Sequence, residues 1–116
     1  MTEDEVGTQL AEWGKVALLE TRGRVSGKTV TSAVGFVEEA DGSLIVAAGA
    51  DDADWALNLR HTPIADATIG QATGTYEAVE LADAERNNAV SQLILKYGTP
   101  AERLGRGPAF RLRRRA

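Results

Sequence analysis

The chain has 116 residues, 43% hydrophobic and 26% charged, which predicts one small domain over residues 1–116. Its net charge of −4 excludes a general nucleic-acid binder, since such binding depends on basic contacts to phosphate. The absence of cysteine excludes disulfides and thiolate catalysis, and with a single histidine we expect no metal site. No segment is apolar enough to span a membrane and no leader pattern opens the chain, so we expect a cytoplasmic protein.

The first half of the chain is predicted to form a helix and three strands. Val6, Leu10 and Trp13 recur at helical spacing after an acidic first turn, which predicts an N-terminal helix over residues 1–14. Apolar and β-branched runs then predict strands at Val16–Thr21, Thr29–Val37 and Leu44–Ala48. The dipeptide Asp41-Gly42 predicts a tight hairpin between the last two strands.

The second half is predicted to alternate helices with further strands. Glycine and proline residues mark the boundaries between the predicted elements. Helices are predicted at Asp51–Arg60 and Asp83–Tyr97, and a loop over Thr99–Gly107. Strands are predicted at Ala65–Ile69, Thr73–Leu81 and Ala109–Arg113. Hairpin-joined strands imply an antiparallel sheet, and about six strands with few helices favour a small barrel that closes its own edges. Residues 15–116 are thus predicted to form the barrel and its helices.

The segment from Thr21 to Lys28 carries the chemistry that is easiest to interpret. Gly23 and Gly27 allow backbone amides to approach a ligand closely, while Arg24, Ser26 and Lys28 supply donors, as in a loop that cradles phosphate. The spacing is not that of a P-loop, and a strand follows, which excludes a nucleotide triphosphatase of that type. A plain basic hairpin turn fits the same residues, so both interpretations stay open.

Two motifs together resemble the deazaflavin-dependent nitroreductase family of flavin/deazaflavin oxidoreductases. The first is T-x-G-R-x-S-G, at Thr21, Gly23, Arg24, Ser26 and Gly27; the second is W-x-x-N-L-x-x-x-P, at Trp55, Asn58, Leu59 and Pro63. They stand about 30 residues apart with the Asp41-Gly42 hairpin between them, and the resemblance runs from about Lys15 to the last helix. It implies an α+β fold: a six-stranded antiparallel split β-barrel with about three helices.

The resemblance also implies a cofactor and a site for it. Coenzyme F-420 would bind with its phosphate facing Arg24, Ser26 and Gly27, with Lys28 adding charge. Ala47, Ala48 and Gly49 would offer backbone N–H groups to the deazaflavin ring, and Trp55 and Asn58 would support the site from a helix beneath it. The implied reaction is hydride transfer from reduced F-420 to an electrophilic small molecule such as a nitroaromatic, quinone or enone.

No catalytic residue is assigned, because no nucleophile–base pair or isolated acid is evident. His61 at a helix end suits a surface or capping role, and Tyr76 and Tyr97 suit core packing. Glu38-Glu39 is expected to be solvated. The arginines at 111–115 suit a strand with a basic face, although added charge for a cofactor tail, or a nucleic-acid or membrane contact, fits them too.

Two alternatives compete with an F-420 reductase. Val25 and the acidic stretch at 51–54 favour a cofactor-free or lipid-binding barrel that has lost its anion site, since carboxylates repel an anionic cofactor. FMN, which has a shorter anionic tail, is the other alternative. A homodimer would help so small a domain bury enough surface.

Overall fold

The computed structural model describes residues 14–98 and 106–115. They form β1 (Ala17–Arg22), β2 (Thr29–Val34), β3 (Phe36–Glu38), β4 (Leu44–Ala47), α1 (Asp54–His61), β5 (Ile64–Ile69), β6 (Ala72–Glu80), α2 (Asp83–Tyr97) and β7 (Ala109–Arg114). The predicted N-terminal helix, and most of the predicted loop before β7, lie outside the described residues. Neither α1 nor α2 is long and apolar enough to cross a membrane.

All seven strands belong to one antiparallel sheet in the order β2-β1-β5-β6-β7-β4-β3. The first and last strands of this order, β2 and β3, are consecutive in the chain and are separated by Gly35 alone. One continuous segment therefore pairs with β1 through its first half and with β4 through its second half, which curls the sheet into a barrel. The expected antiparallel α+β fold is confirmed as a curled, half-barrel sheet. The described residues hold seven strands where we predicted six, and two helices where we predicted about three.

The additional strand arises at Gly35, which interrupts the predicted strand Thr29–Val37. A Cβ atom at Gly35 would lie 3.1 Å from the Tyr97 ring, so the ring of α2 packs directly on this backbone. The Tyr97 hydroxyl accepts the Phe36 N–H at 3.0 Å and donates to the Lys15 carbonyl at 2.7 Å. The Lys96 ammonium donates to the Phe36 carbonyl at 2.7 Å. These contacts with the last turn of α2 hold the bend, and no local strand propensity could have shown them.

The core occupies the interior of the barrel. Alternate residues of the strands face inward, so that Leu19, Val46, Phe110 and Leu112 are each at most 1% exposed. A smaller cluster, which includes Leu93, packs α2 against the outer face of β4 and β7. Burial of these side chains, at about 25 cal/mol per Å² of apolar surface, is the main force that holds the sheet in its curled form.

The strand directions define two ends of the barrel. Because neighbouring strands are antiparallel, the end of β1 at Arg22 lies at the same end as the last residues of β6 and β4, Glu80 and Ala47, and the first residue of β7, Ala109. We call this the Arg22 end. The opposite one, where β1 begins, is the Ala17 end, and it carries the β3–β4 and β5–β6 hairpins.

Candidate functional site

The loop between β1 and β2, residues 23–28, is closed by its own backbone. The Gly23 N–H donates to the Lys28 carbonyl at 2.8 Å, and the Gly27 N–H donates to the Gly23 carbonyl at 2.9 Å. Gly27 has a φ of +74°, a conformation that glycine adopts at little cost. The Lys28 N–H donates to the Ser26 Oγ at 3.2 Å. The predicted tight connection is confirmed, and its glycines are explained by the turn itself.

Asn58 fastens this loop to α1. Its Oδ1 accepts the Arg24 N–H at 3.2 Å and the Arg24 Nη1 at 2.8 Å. Its Nδ2 donates to the Thr21 Oγ1 at 3.2 Å. Asn58 is 1% exposed and Thr21 2% exposed, so an unmet hydrogen bond at either would be costly. The two sequence motifs, 30-odd residues apart in the chain, therefore meet at one buried amide.

The Arg24 guanidinium is held by the protein itself. Besides Asn58, it contacts Asp54, with Nη2 3.3 Å from the Oδ1 and Nη1 3.4 Å from the carbonyl oxygen. Its side chain is one-third exposed. The sequence motif predicts Arg24 at the cofactor phosphate, and the structure shows its guanidinium bridging the loop to the first turn of α1.

The outward surface of the loop carries different donors. The N–H groups of Val25 and Ser26 donate to no other described residue, and these two residues form the exposed crest of the loop. Arg22 and Lys28 are exposed as well, and neither forms an ion pair with a residue in the described ranges. Val25 is 93% exposed. Two adjacent N–H groups and one hydroxyl thus belong to the exposed loop, with one cation at each end of it.

The segment after β4 reaches the same end of the barrel. Ala47 pairs with Ala109 in the sheet, and the Ala48 N–H donates to the Pro108 carbonyl at 2.9 Å. The Ala48 amide is thus already bonded, which corrects the expectation that it is open to a flavin ring. Gly49 is exposed just beyond the strand and is the one of the three predicted ring contacts placed at the surface.

Trp55 lies beneath this region. It is 9% exposed, and its ring packs against Phe110 with 6.1 Å between centroids and an interplanar angle of 58°. This tilted packing is a favourable geometry for aromatic pairs. Trp55 and Asn58 therefore both face the interior from α1, where they support the surface above them.

Several charged residues near and beyond the site are paired within the chain. Asp51 and Asp52 are exposed before α1, whereas Asp54 pairs with Arg24. Glu39, expected to be solvated, instead pairs with Arg111 at 2.7 Å, and Arg111 also contacts Glu85 at 3.1 Å. These hydrogen bonds raise the pKa of Arg111 above its ordinary value.

The terminal arginines belong to a strand, as the simplest of the three interpretations predicted. Arg111 is paired as above, and Arg115, just after β7, lies 3.4 Å from Glu77. His61 is exposed in the last turn of α1.

The chain belongs to the F420H(2)-dependent quinone reductase family, whose model matches residues 1–104. The resemblance to deazaflavin-dependent reductases is thereby confirmed. No curated protein sequence matches the chain.

Solved structures confirm the barrel fold. The heme storage protein HutZ from Vibrio cholerae has a TM-score of 0.72 at 19% identity, with 98% of this chain and 90% of that one covered. An F420-H2 dependent reductase has a TM-score of 0.69 at 24% identity, over 84% and 93% of the two chains. A structure described as a domain-swapped dimer has a TM-score of 0.69 at 23% identity, over 94% and 95%.

Proposed function

We propose that the chain binds coenzyme F-420 at the Arg22 end and directs hydride from its reduced form to an electrophilic small molecule. Quinones are the substrate class that the family name suggests, and nitroaromatics and enones share the same chemistry. The observation that carries the proposal is the exposed loop held by Asn58, in which the Val25 and Ser26 N–H groups are bonded to no other described residue.

The donors at this surface fit a phosphate better than they fit a neutral ligand. Val25 and Ser26 would donate their N–H groups, the Ser26 hydroxyl would add a third hydrogen bond, and Lys28 and Arg22 would supply charge. Successive backbone N–H groups at a turn form a recurrent type of anion site. In this proposal Arg24 is a positioning residue, since its guanidinium is already bonded to α1.

The acidic stretch before α1 weakens this site without abolishing it. The Asp54 charge is compensated by Arg24 at 3.3 Å, whereas Asp51 and Asp52 form no ion pair with a described residue. A pair of exposed charges about 4 Å apart interacts by about 1 kcal/mol in water. Arg22 and Lys28, one at each end of the loop, supply charge of the opposite sign, and the N–H groups contribute in addition.

When bound, reduced F-420 supplies the hydride, so the protein has to bind and orient rather than provide an acid–base pair. The described residues accomplish this with a rigid base. Asn58 immobilises the loop, Trp55 fills the space beneath it, and Gly49 leaves backbone exposed where the ring would lie.

The direct test is a binding titration with F-420 and with FMN at fixed salt. Lys28→Ala and Ser26→Ala should each weaken F-420 binding by about 1–3 kcal/mol, the range for hydrogen bonds to a charged group. Lys15→Ala is the matched control, because Lys15 is exposed just before the opposite end of β1, and it should bind as the unmodified chain does. Unchanged titrations in both loop variants would exclude this loop as the phosphate site. Tighter binding of FMN than of F-420 would favour the FMN alternative.

A second experiment separates a working reductase from a barrel that has lost its cofactor. Val25→Lys with Asp52→Asn adds one cation and removes one carboxylate near the loop, which should strengthen F-420 binding by about 1–2 kcal/mol if the site is impaired. Tight binding and quinone reduction by the unmodified chain would exclude the lost-site alternative. Undetectable binding that appears only in the double variant would contradict our proposal.

We also propose that the chain forms a homodimer. Support comes from the similar structure described as a domain-swapped dimer. Sedimentation equilibrium over a range of concentrations measures the mass directly, and a monomer at every concentration would contradict the proposal.

A further inference from the structure

A cavity opens at the Ala17 end of the barrel, away from the proposed cofactor loop. Its volume is about 460 Å³, within the range that small-molecule sites occupy. It lies between the β3–β4 and β5–β6 hairpins, and none of its lining residues belongs to loop 23–28, to Ala47–Gly49 or to α1. The proposed F-420 site therefore leaves this cavity without a role.

The cavity exists because small residues occupy inward positions at this end of the sheet. Ala67 and Gly74 face it from β5 and β6, and Leu44 and Ile69 provide apolar walls. On β7 the inward row of Phe110 and Leu112 would next place an apolar residue at position 114, yet the chain has an arginine there. A cation thus stands where the alternation requires a core side chain.

The position of Arg114 is set by its neighbours on β6. It pairs directly with Tyr76 in the sheet, so the two side chains share a face. A Cβ atom at Gly74 would lie 3.1 Å from the Arg114 Nε and 3.3 Å from its Cζ, which means that the guanidinium lies over the bare glycine backbone. No carboxylate of the described chain lies within ion-pair distance of Arg114.

Tyr76 contributes a second unshared donor. It is 7% exposed, and its hydroxyl forms no hydrogen bond to another described residue. Tyr76 also lines the cavity, so its hydroxyl is the second donor on this wall.

Carboxylates lie on the opposite wall. Glu38 follows the buried Phe36 by two residues on β3, which places it on the same inward row at the cavity. Asp41 lies beside it in the hairpin, with its Oδ1 accepting the Ser43 N–H at 2.9 Å. Glu38 and Arg114 face the same cavity without forming an ion pair, so the two charges are separated across it.

We propose that this cavity binds a small zwitterion with an apolar body, the chemistry of an apolar amino acid. Its carboxylate accepts hydrogen bonds from Arg114 and the Tyr76 hydroxyl. Its ammonium group lies between the carboxylates of Glu38 and Asp41. Its apolar part packs on Leu44, Ala67 and Ile69 and displaces water from these walls.

Ligands of one charge fit this cavity less well. A simple anion would bind Arg114 but would be repelled by the two carboxylates. A simple cation would leave the guanidinium and the tyrosine hydroxyl without a hydrogen-bond acceptor. An uncharged apolar molecule would remove water from all of these groups without replacing their hydrogen bonds. A zwitterion is the class that satisfies both walls at once.

The test uses the full chain without added cofactor and follows backbone amide resonances during titration with L-phenylalanine. The proposal expects saturable shifts confined to the residues that line the cavity. N-acetyl-L-phenylalanine lacks the ammonium group and L-phenylalaninamide lacks the carboxylate, so each should bind at least about tenfold more weakly, the loss of one charged hydrogen-bonding partner. Equal binding of either derivative would overturn the zwitterion assignment, and so would the absence of shifts at the cavity.

Substitutions on each wall of the cavity then test which side chains bind the ligand. Arg114→Gln and Glu38→Gln remove one charge each from exposed side chains and should each weaken L-phenylalanine binding about tenfold. Arg106→Gln is the matched control, since Arg106 is an exposed arginine three residues before β7, at the Arg22 end, and lines no described part of the cavity. Binding by the control should equal that of the unmodified chain. If Arg114→Gln binds as tightly as Arg106→Gln, the proposed site is wrong.

Discussion

Replacement of Asn58 by alanine tests whether one buried amide joins the loop to α1. The side chain makes three hydrogen bonds, two to Arg24 and one to Thr21, at 2.8 to 3.2 Å. A neutral hydrogen bond contributes about 1 kcal/mol and one to a charged group about 1.5–3 kcal/mol. Part of this free energy is recovered in the variant, because the partly exposed Arg24 guanidinium can form hydrogen bonds with water instead. The Thr21 hydroxyl cannot do so, because Thr21 is only 2% exposed.

The expected loss in the free energy of unfolding is therefore about 3 kcal/mol. For a domain of this size that corresponds to a fall of about 10 °C in the melting temperature. Urea and thermal denaturation followed by circular dichroism measure both quantities. Asn88→Ala is the matched control: Asn88 is an exposed residue of α2, and alanine there should leave stability unchanged or raise it slightly.

A double-mutant cycle with Thr21→Val isolates one of the three contacts. Thr21 and Asn58 share the hydrogen bond from Nδ2 to Oγ1, so the effects of the two substitutions should be non-additive by about 1 kcal/mol. F-420 binding to Asn58→Ala should weaken as well, because the loop would lose its fixed position. A loss of stability below about 1 kcal/mol, or strict additivity in the cycle, would refute the reasoning.

Three further predictions concern the rest of the barrel. Gly107→Ala should destabilise the chain by about 1–3 kcal/mol in urea, because a Cβ atom would lie 2.6 Å from the Ala48 carbonyl oxygen. Tyr97→Phe should cost about 1–2 kcal/mol in the same assay, since it removes a hydroxyl that both donates and accepts. The hydrogen bond from Arg60 lowers the pKa of Glu80, so its contribution is present at neutral pH and lost as pH falls below about 4. Melting curves should therefore separate Glu80→Gln from the unmodified chain at pH 7 and converge in acid.

Local patterns in the sequence were sufficient for most of the secondary structure. Periodicity predicted α2 to its last residue, and the Asp41-Gly42 turn appears as expected, with the Gly42 φ at +88°. The break at Gly35 could not be predicted in this way. It depends on the ring of Tyr97, which is distant in sequence and meets that backbone only in the folded structure.

The candidate site, too, could be predicted from the sequence only in part. Motif spacing located the loop and the helix, but it assigned Arg24 to the ligand, and the structure shows that guanidinium bonded to Asn58 and Asp54. The sequence could not show this, because an arginine beside two glycines looks the same whether its partner is a phosphate or an amide. Only the folded chain, in which burial makes every unmet hydrogen bond costly, reveals which donors are already used.

The sequence by itself determined the type and order of the elements, since hydrophobic period, turn residues and caps act over a few neighbouring positions. Both family motifs could also be recognised in the sequence. The tertiary structure alone decided how one strand is shared between two sheet edges, and which inward positions remain unfilled. Arg114 shows the reason: its alternation with Phe110 and Leu112 is visible in the sequence, but the space around it exists only because Ala67 and Gly74 come from other strands.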